Sequence, residues 1–274
     1  MTATTVDPTA GPALPAVTQK RVIGSEWIKL RSLRSTIFAL LAAVVCTVGL
    51  GLLISALRAN DIKSHSGFLP GPSFDATAVT LRGVFLAQLA IGVLGVLVVT
   101  GEYSTGMIRA TLSAVPRRLP VVWAKALVFG VVVFVTMGVA SLIAFLGGQA
   151  FFSGAGIHVS LGSPGAARAV LGAALYLTGI GLLGVGLGFL LRNTAGAIAT
   201  LFGLLLVLPP IVNALPSSIS ADLFRFLPLT AGSQVMTTVG DPNLLAPWSG
   251  IGVFALYAAV AIAGGAVVLK RRDA

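Results

Sequence analysis

Long uninterrupted apolar runs, separated by short polar or glycine- and proline-rich segments, set the pattern of this chain. A bilayer-spanning helix needs about 20 mostly apolar residues. Six stretches meet that requirement: 37–57, 83–100, 121–148, 169–191, 195–215 and 251–269. The third is long enough to tilt or to extend past the lipid. Only Arg192, Asn193 and Thr194 separate the fourth from the fifth, which predicts a tight helical hairpin. The runs do not alternate apolar with polar positions, so strands of a membrane barrel are excluded. The pattern predicts an all-α integral membrane protein with six transmembrane helices.

Composition agrees. Of 274 residues, 56 % are hydrophobic and 9 % charged, against about 45–50 % and 25 % in soluble domains. A globular surface so poor in charge would aggregate, and disorder requires low hydrophobicity. The net charge is +10. In a soluble protein that excess would raise nucleic acid as a partner. Here the cations flank apolar runs, so they speak to membrane orientation and not to nucleic acid. With both termini cytoplasmic, most Lys and Arg fall on inner segments, among them Lys20, Arg21, Lys29, Arg34, Arg117, Arg118, Lys125, Arg192, Lys270 and Arg272. Trp123 and Trp248 sit at span edges, where indoles favour the interface. Residues 1–19 read as a disordered cytoplasmic tail without the basic start and apolar core of a signal peptide. Residues 20–274 are expected to form one six-helix domain of a multi-pass membrane protein, anchored by an uncleaved first span.

Absences narrow the chemistry. The single cysteine, Cys46, allows no internal disulfide. His65 and His158 lie in different loops, and no metal site is expected. Gly101 and Gly106 have the spacing of phosphate-loop glycines, but Met107 and Ile108 follow where Lys and Ser or Thr are required. No Asp, Glu, Lys or His occupies the middle of a span, where ion-coupled carriers usually place one. No nucleophile–base pair or paired carboxylate suggests a hydrolase. The chain is expected to be no enzyme and to hold no cofactor of its own.

The segment between spans two and three carries the most information. It runs from Gly101, Glu102 and Tyr103 through Gly106 to Met107, Ile108, Arg109, Thr111 and Leu112, then Pro116, Arg117, Arg118 and Lys125. Glu102 reads as a lone carboxylate at the inner membrane edge in basic surroundings. Gly106 permits a turn, and 107–114 can form a short cytoplasmic helix that ends before Pro116. Held between two spans, such a helix is a contact surface for a soluble partner. Upstream, 21–34 is amphipathic: Ile23, Trp27 and Leu30 share a face, with Arg21 and Lys29 pointing elsewhere, as in a helix lying along the inner lipid surface.

These segments resemble the permease subunits of ABC type-2 exporters, their actinobacterial members in particular. The resemblance rests on Glu102-Tyr103, Gly106, Ile108-Arg109, the Pro116-Arg117-Arg118 turn and Lys125, with Met107 where Thr is frequent. Ser25 to Ser32 with Arg34-Ser35, and Leu227 to Gly232 before the last span, are similar to the same family. The resemblance implies a permease that pairs with a second permease subunit, identical or paralogous, above separate ATPase subunits that hold ATP and Mg. It implies a coupling helix at 107–114, with Glu102, Tyr103, Gly106, Met107, Ile108, Arg109, Thr111 and Leu112 as the residues that couple to the ATPase. It implies a connecting helix at 21–34 that includes Trp27, Lys29 and Arg31, with Glu102 ion-paired to Lys29 or Arg31. A substrate path would follow Phe85, Gln88, Phe202 and Asn213.

Glycines in the fourth run, Gly184 and Gly188 among them, suit close helix packing. Pro209 and Pro210 predict a kink or an early end to the fifth span. The stretch 216–247 is too short and broken to span. Two rival readings are a stand-alone secondary carrier and a non-transporting accessory or immunity protein. The substrate is open.

Overall fold

The computed structural model describes residues 18–64, 71, 74–115 and 117–271. The expected tail, up to residue 17, lies outside the described residues, as do His65, Pro116 and Arg272. Among the described residues every regular element is helical. α1 is Gln19–Ser32 and α2 is Arg34–Ser64. α3 is Ala76–Thr80, α4 Val84–Ser104, α5 Met107–Ala114 and α6 Leu119–Ser153. α7 is Ala166–Leu191, α8 Thr194–Asn213, α9 Ser217–Phe224, α10 Pro228–Ser233 and α11 Pro247–Arg271. Six of these helices, α2, α4, α6, α7, α8 and α11, are long and apolar enough to cross a membrane. They contain the six predicted runs with boundary shifts of a few residues. The exception is the first run, whose helix continues through Arg58, Asp61 and Lys63 to Ser64. Charged residues end a span in lipid but not a helix in water.

The even number of crossings brings the N-terminal helix and the end of α11 to one side, called here the basic end. Gln19 Nε2 donates to the Pro120 carbonyl (3.2 Å), and Arg118 Nη1 donates to the Leu269 carbonyl (2.9 Å). The start of α6 thus holds both α1 and the end of α11. Arg192 Nη2 donates to the Val268 carbonyl (3.1 Å). Two guanidiniums therefore cover the exposed carbonyls and negative dipole end of α11.

α7 is the hub, packed against α4, α6 and α11. Its glycines make that possible. A Cβ on Gly184 would lie 2.5 Å from the Gly92 carbonyl oxygen, and one on Gly188 2.9 Å from Val99 Cβ, both on α4. A Cβ on Gly95 of α4 would lie 2.1 Å from the Gly181 carbonyl oxygen. The backbones touch without side chains between them, which is how helices associate where lipid offers no hydrophobic drive. The Gly184–Gly188 stripe faces inward, as helix packing within one chain requires. The hairpin between α7 and α8 is closed by Arg192 at φ 53° and by Asn193, whose Oδ1 accepts from the Gly196 N–H (2.8 Å).

α2 and α8 each contain a wide π turn, at Cys46–Leu50 and Gly203–Val207. In α8 the irregularity precedes Pro209 and Pro210, which open the next regular stretch, Leu208–Asn213. A proline removes a hydrogen bond from the turn before it, so the predicted break appears one turn upstream.

At the far end α2 and α6 outrun the other spans and enclose α3. Phe152, Ala59, Ala76 and Val79 form a separate small core there. Asp75 caps α3 by accepting from Ala78 N–H (2.8 Å), and its other oxygen accepts from the backbone of Thr238 and Val239. The segment 216–247 forms α9, which is exposed, and α10, which is buried between α7 and α11. A Cβ on Gly232 would lie 2.7 Å from the Tyr176 ring and 3.0 Å from Phe254. Tyr176 lies ten residues into α7, about 15 Å along the helix axis, so α10 descends well inside the bundle.

Candidate functional site

At the basic end three helices converge on four charges. α1 supplies Glu26 and Lys29, α4 supplies Glu102, and α6 supplies Lys125. Lys125 Nζ donates to Glu26 Oε2 (2.6 Å) and to Glu102 Oε1 (2.9 Å). Lys29 Nζ donates to Glu26 Oε1 (2.8 Å), to Glu102 Oε1 (2.9 Å) and to Thr111 Oγ1 of α5 (3.2 Å). Glu26, Glu102 and Lys125 are all at most 4 % exposed. Two ammoniums against two carboxylates leave the cluster neutral, which is what allows it to be buried at all. Glu102 Oε2 makes no hydrogen bond, and a cavity of about 40 Å³ adjoins the cluster beside Met107.

Local sequence explains the convergence. Gly106, at φ +72°, turns the chain between α4 and α5 in a conformation that side chains resist. Thr105 steadies the turn by donating its hydroxyl to the Gly101 carbonyl (2.8 Å). α5 then turns Ile108 and Leu112, one turn apart, into the main core beside Leu30. Its other face, with Arg109, Ala110 and Ser113, is exposed, and Met107 is 41 % exposed. Tyr103 packs under the Arg192 guanidinium, 5.3 Å from ring centroid to Cζ, a cation–π contact between α4 and the α7–α8 turn.

Several expectations change. Glu102 is not a lone carboxylate, because Glu26 shares its lysines. Lys29 does not point away from the packed side of α1. The buried stripe is Val22, Glu26 and Leu30, while Trp27 is 49 % exposed and Arg31 is exposed. Apolar residues occur on both sides of α1, and the side that offers an ion partner is the one that docks. Lys29, and not Arg31, meets Glu102. Glu26 and Lys125 were missing from the expected cluster. The signal was available: Glu26 and Glu102 are the only glutamates in 274 residues.

The residues expected along a substrate path lie on α4 and α8 in different settings. Phe85 is 43 % exposed near the start of α4, Phe202 is half-buried in α8, and Asn213 is exposed at the end of α8. Gln88 is buried. Its Nε2 donates to the Phe85 carbonyl (2.9 Å) and its Oε1 accepts from the Tyr176 hydroxyl.

Burial alone would lower the pKa of Lys29, but the hydrogen bonds and charges of Glu26 and then Glu102 outweigh it and hold the ammonium above the ordinary 10.5. A group whose folded pKa is raised stabilises the folded state fully below its unfolded value and loses that contribution as pH rises through the folded one. α1 is therefore expected to stay docked from neutral pH to about 10.4 and to release at higher pH. The emission of Trp27 in a Trp123→Phe/Trp248→Phe variant reports this. Glu26→Gln should bring the transition to lower pH, and a transition already complete at pH 9 would contradict the assignment.

Residues 22–207 match the model of a family described as ABC-2 family transporter proteins. No curated protein matches the chain.

Proposed function

Given that the chain belongs to the ABC-2 family of transporter proteins, we propose that it is the permease subunit of an ATP-driven exporter. It spans the plasma membrane with its basic end in the cytoplasm and pairs with a second permease, identical or paralogous. ATP and Mg are held by a separate ATPase subunit docked on that end.

The single observation that carries the coupling role is the buried Glu26–Lys29–Glu102–Lys125 cluster with its bond to Thr111. It ties α5 to α1, α4 and α6 at once. A push on the exposed face of α5, at Met107, Arg109 and Ala110, would move all three helices together, because separating any one leaves a buried charge without its partner. α5 is thus the coupling helix, and α1, with Trp27 and Arg31 on its outer side, the connecting helix. Tyr103, Gly106, Ile108 and Leu112 hold α5 to the bundle and serve coupling through position.

Substrate is proposed to move along α4 and α8, where Phe85, Phe202 and Asn213 lie. Gln88 would join only when its bond to Tyr176 opens. The π turns in α2 and α8 suit this, since wide turns recur where helices must flex. Nothing in the chain performs covalent chemistry in this reading.

The test is affinity purification in mild detergent, with mass spectrometry and an ATPase assay on the eluate. A stoichiometric phosphate-loop ATPase is expected. Ala110→Trp/Ser113→Trp, on the exposed face of α5, should remove it while the permease stays monodisperse. Retention of the ATPase by that variant would overturn the docking role. A folded permease with no ATPase in several detergents would favour a secondary carrier or an accessory protein.

A further inference from the structure

A second site lies on the outside of the bundle, away from the charge cluster. α6, α7 and α11 leave between them a groove of about 560 Å³, lined by Trp123, Leu127, Phe134, Leu175, Leu182 and Ile262 among others. Apart from the Trp123 indole at its edge, its lining offers no free polar group. The Thr178 hydroxyl, the one polar side chain beyond Trp123, is spent on the Ala174 carbonyl (2.7 Å). From Trp123 to Phe134 the groove follows eleven residues of α6, about 16 Å. That is about half of a 30 Å hydrocarbon core, the depth of one leaflet.

The mouth of the groove is at the basic end, where Arg118 joins the start of α6 to the end of α11. Three exposed cations stand there: Arg117 before α6, and Lys270 and Arg271 at the end of α11. Among the described residues none of the three has an ion-pair partner. The carbonyls of Leu269 and Val268, which would repel an anion, are covered by Arg118 and Arg192. Trp123, 60 % exposed, stands one turn into α6, at the depth where an indole marks the interface.

We propose that this groove binds an anionic phospholipid from the leaflet at the basic end, with an acyl chain between α6, α7 and α11 and the phosphate on Arg117, Lys270 and Arg271. An acyl chain needs no hydrogen bonds and matches the lining. Bulky side chains, Trp123, Leu127, Phe134 and Leu182 among them, dominate the lining around the small residues Ala126, Gly130 and Thr178, and an apolar partner helix would leave the cationic rim unused. The cationic rim selects the headgroup, since basic pockets between spans bind anionic lipids. The proposal is independent of the transport reading.

The test uses the full chain with Trp27→Phe and Trp248→Phe, leaving Trp123 as the only tryptophan, in lipid nanodiscs. Brominated phosphatidylglycerol and brominated phosphatidylcholine are compared as quenchers of Trp123. Phosphatidylglycerol is expected to quench at about tenfold lower mole fraction, as a few basic contacts allow. Arg117→Gln/Lys270→Gln/Arg271→Gln should abolish the preference and leave the phosphatidylcholine response. Gly130→Phe, whose first side-chain carbon has ordinary room, should fill the groove and weaken quenching by both lipids. Identical curves for the two lipids, or a preference that survives loss of the three cations, would overturn the proposal.

Discussion

Lys125→Met is expected to destabilise the detergent-solubilised protein by about 3–5 kcal/mol, the usual cost of stripping one partner from a buried ion pair. Glu26 and Glu102 would remain at 3 % and 4 % exposure with Lys29 as their only cation. A kilocalorie moves the melting temperature by about 2–4 °C in a chain of this size, so a fall of about 6–20 °C should appear in a thermal scan. The double variant Glu26→Met/Lys125→Met restores neutrality, with Lys29 and Glu102 still paired at 2.9 Å. It should recover most of the loss, because an apolar pair of similar volume often replaces a buried ion pair at little cost. If ATPase stimulation stays lost in that stable double variant, the cluster transmits motion as well as holding the fold. A Lys125→Met protein with wild-type melting would show that the cluster is not a buried ion-pair network in the solubilised molecule.

The second large effect is a pair of opposite outcomes on one helix. Gly95→Ala places a methyl group 2.1 Å from the Gly181 carbonyl oxygen, a backbone atom that cannot rotate away. α4 and α7 must separate, and the cost should reach about 1–3 kcal/mol, typical of overpacking, with Gly95→Leu worse. Gly101→Ala, six residues further along α4, meets nothing within 4 Å. It should gain about 0.5–1 kcal/mol from reduced backbone freedom in the unfolded chain and better helix propensity. Melting curves of the two alanine variants should therefore move in opposite directions. If both moved the same way, the close approach of α4 to α7 would be in doubt.

The six spans were readable because lipid accepts only structures whose backbone is satisfied internally, and for a helix that demand writes itself into uninterrupted apolar runs. The short helix α5 was readable for a local reason. Gly106 permits the turn before it and Pro116 marks its end, whereas the burial of Ile108 and Leu112 beside Leu30 emerged only in three dimensions. The docking face of α1 was not readable from periodicity. Val22 and Leu30 compete with Ile23, Trp27 and Ile28, and only the tertiary placement of Glu102 and Lys125 decides between them. The π turn in α2 left no trace either, since it lies where α2 meets Gly83. A Cβ on that residue would come within 2.3 Å of the Cys46 carbonyl oxygen. The family relationship was readable from the order of motifs around Glu102, yet two of the four charges that meet there emerged only in three dimensions.

α6 has 35 residues, about 52 Å of unbroken rod. One end carries Lys125 and the other carries Phe152, in two separate packing units. Such a rod behaves as a beam on a pivot. A tilt of about 10° around its midpoint would swing each tip by roughly 4–5 Å in opposite directions, by geometry from the helical rise. A small lateral displacement of the charge cluster would then reappear, reversed in sign and undiminished, at the small aromatic core on the other side of the bilayer. No signal would need to pass from residue to residue along the way.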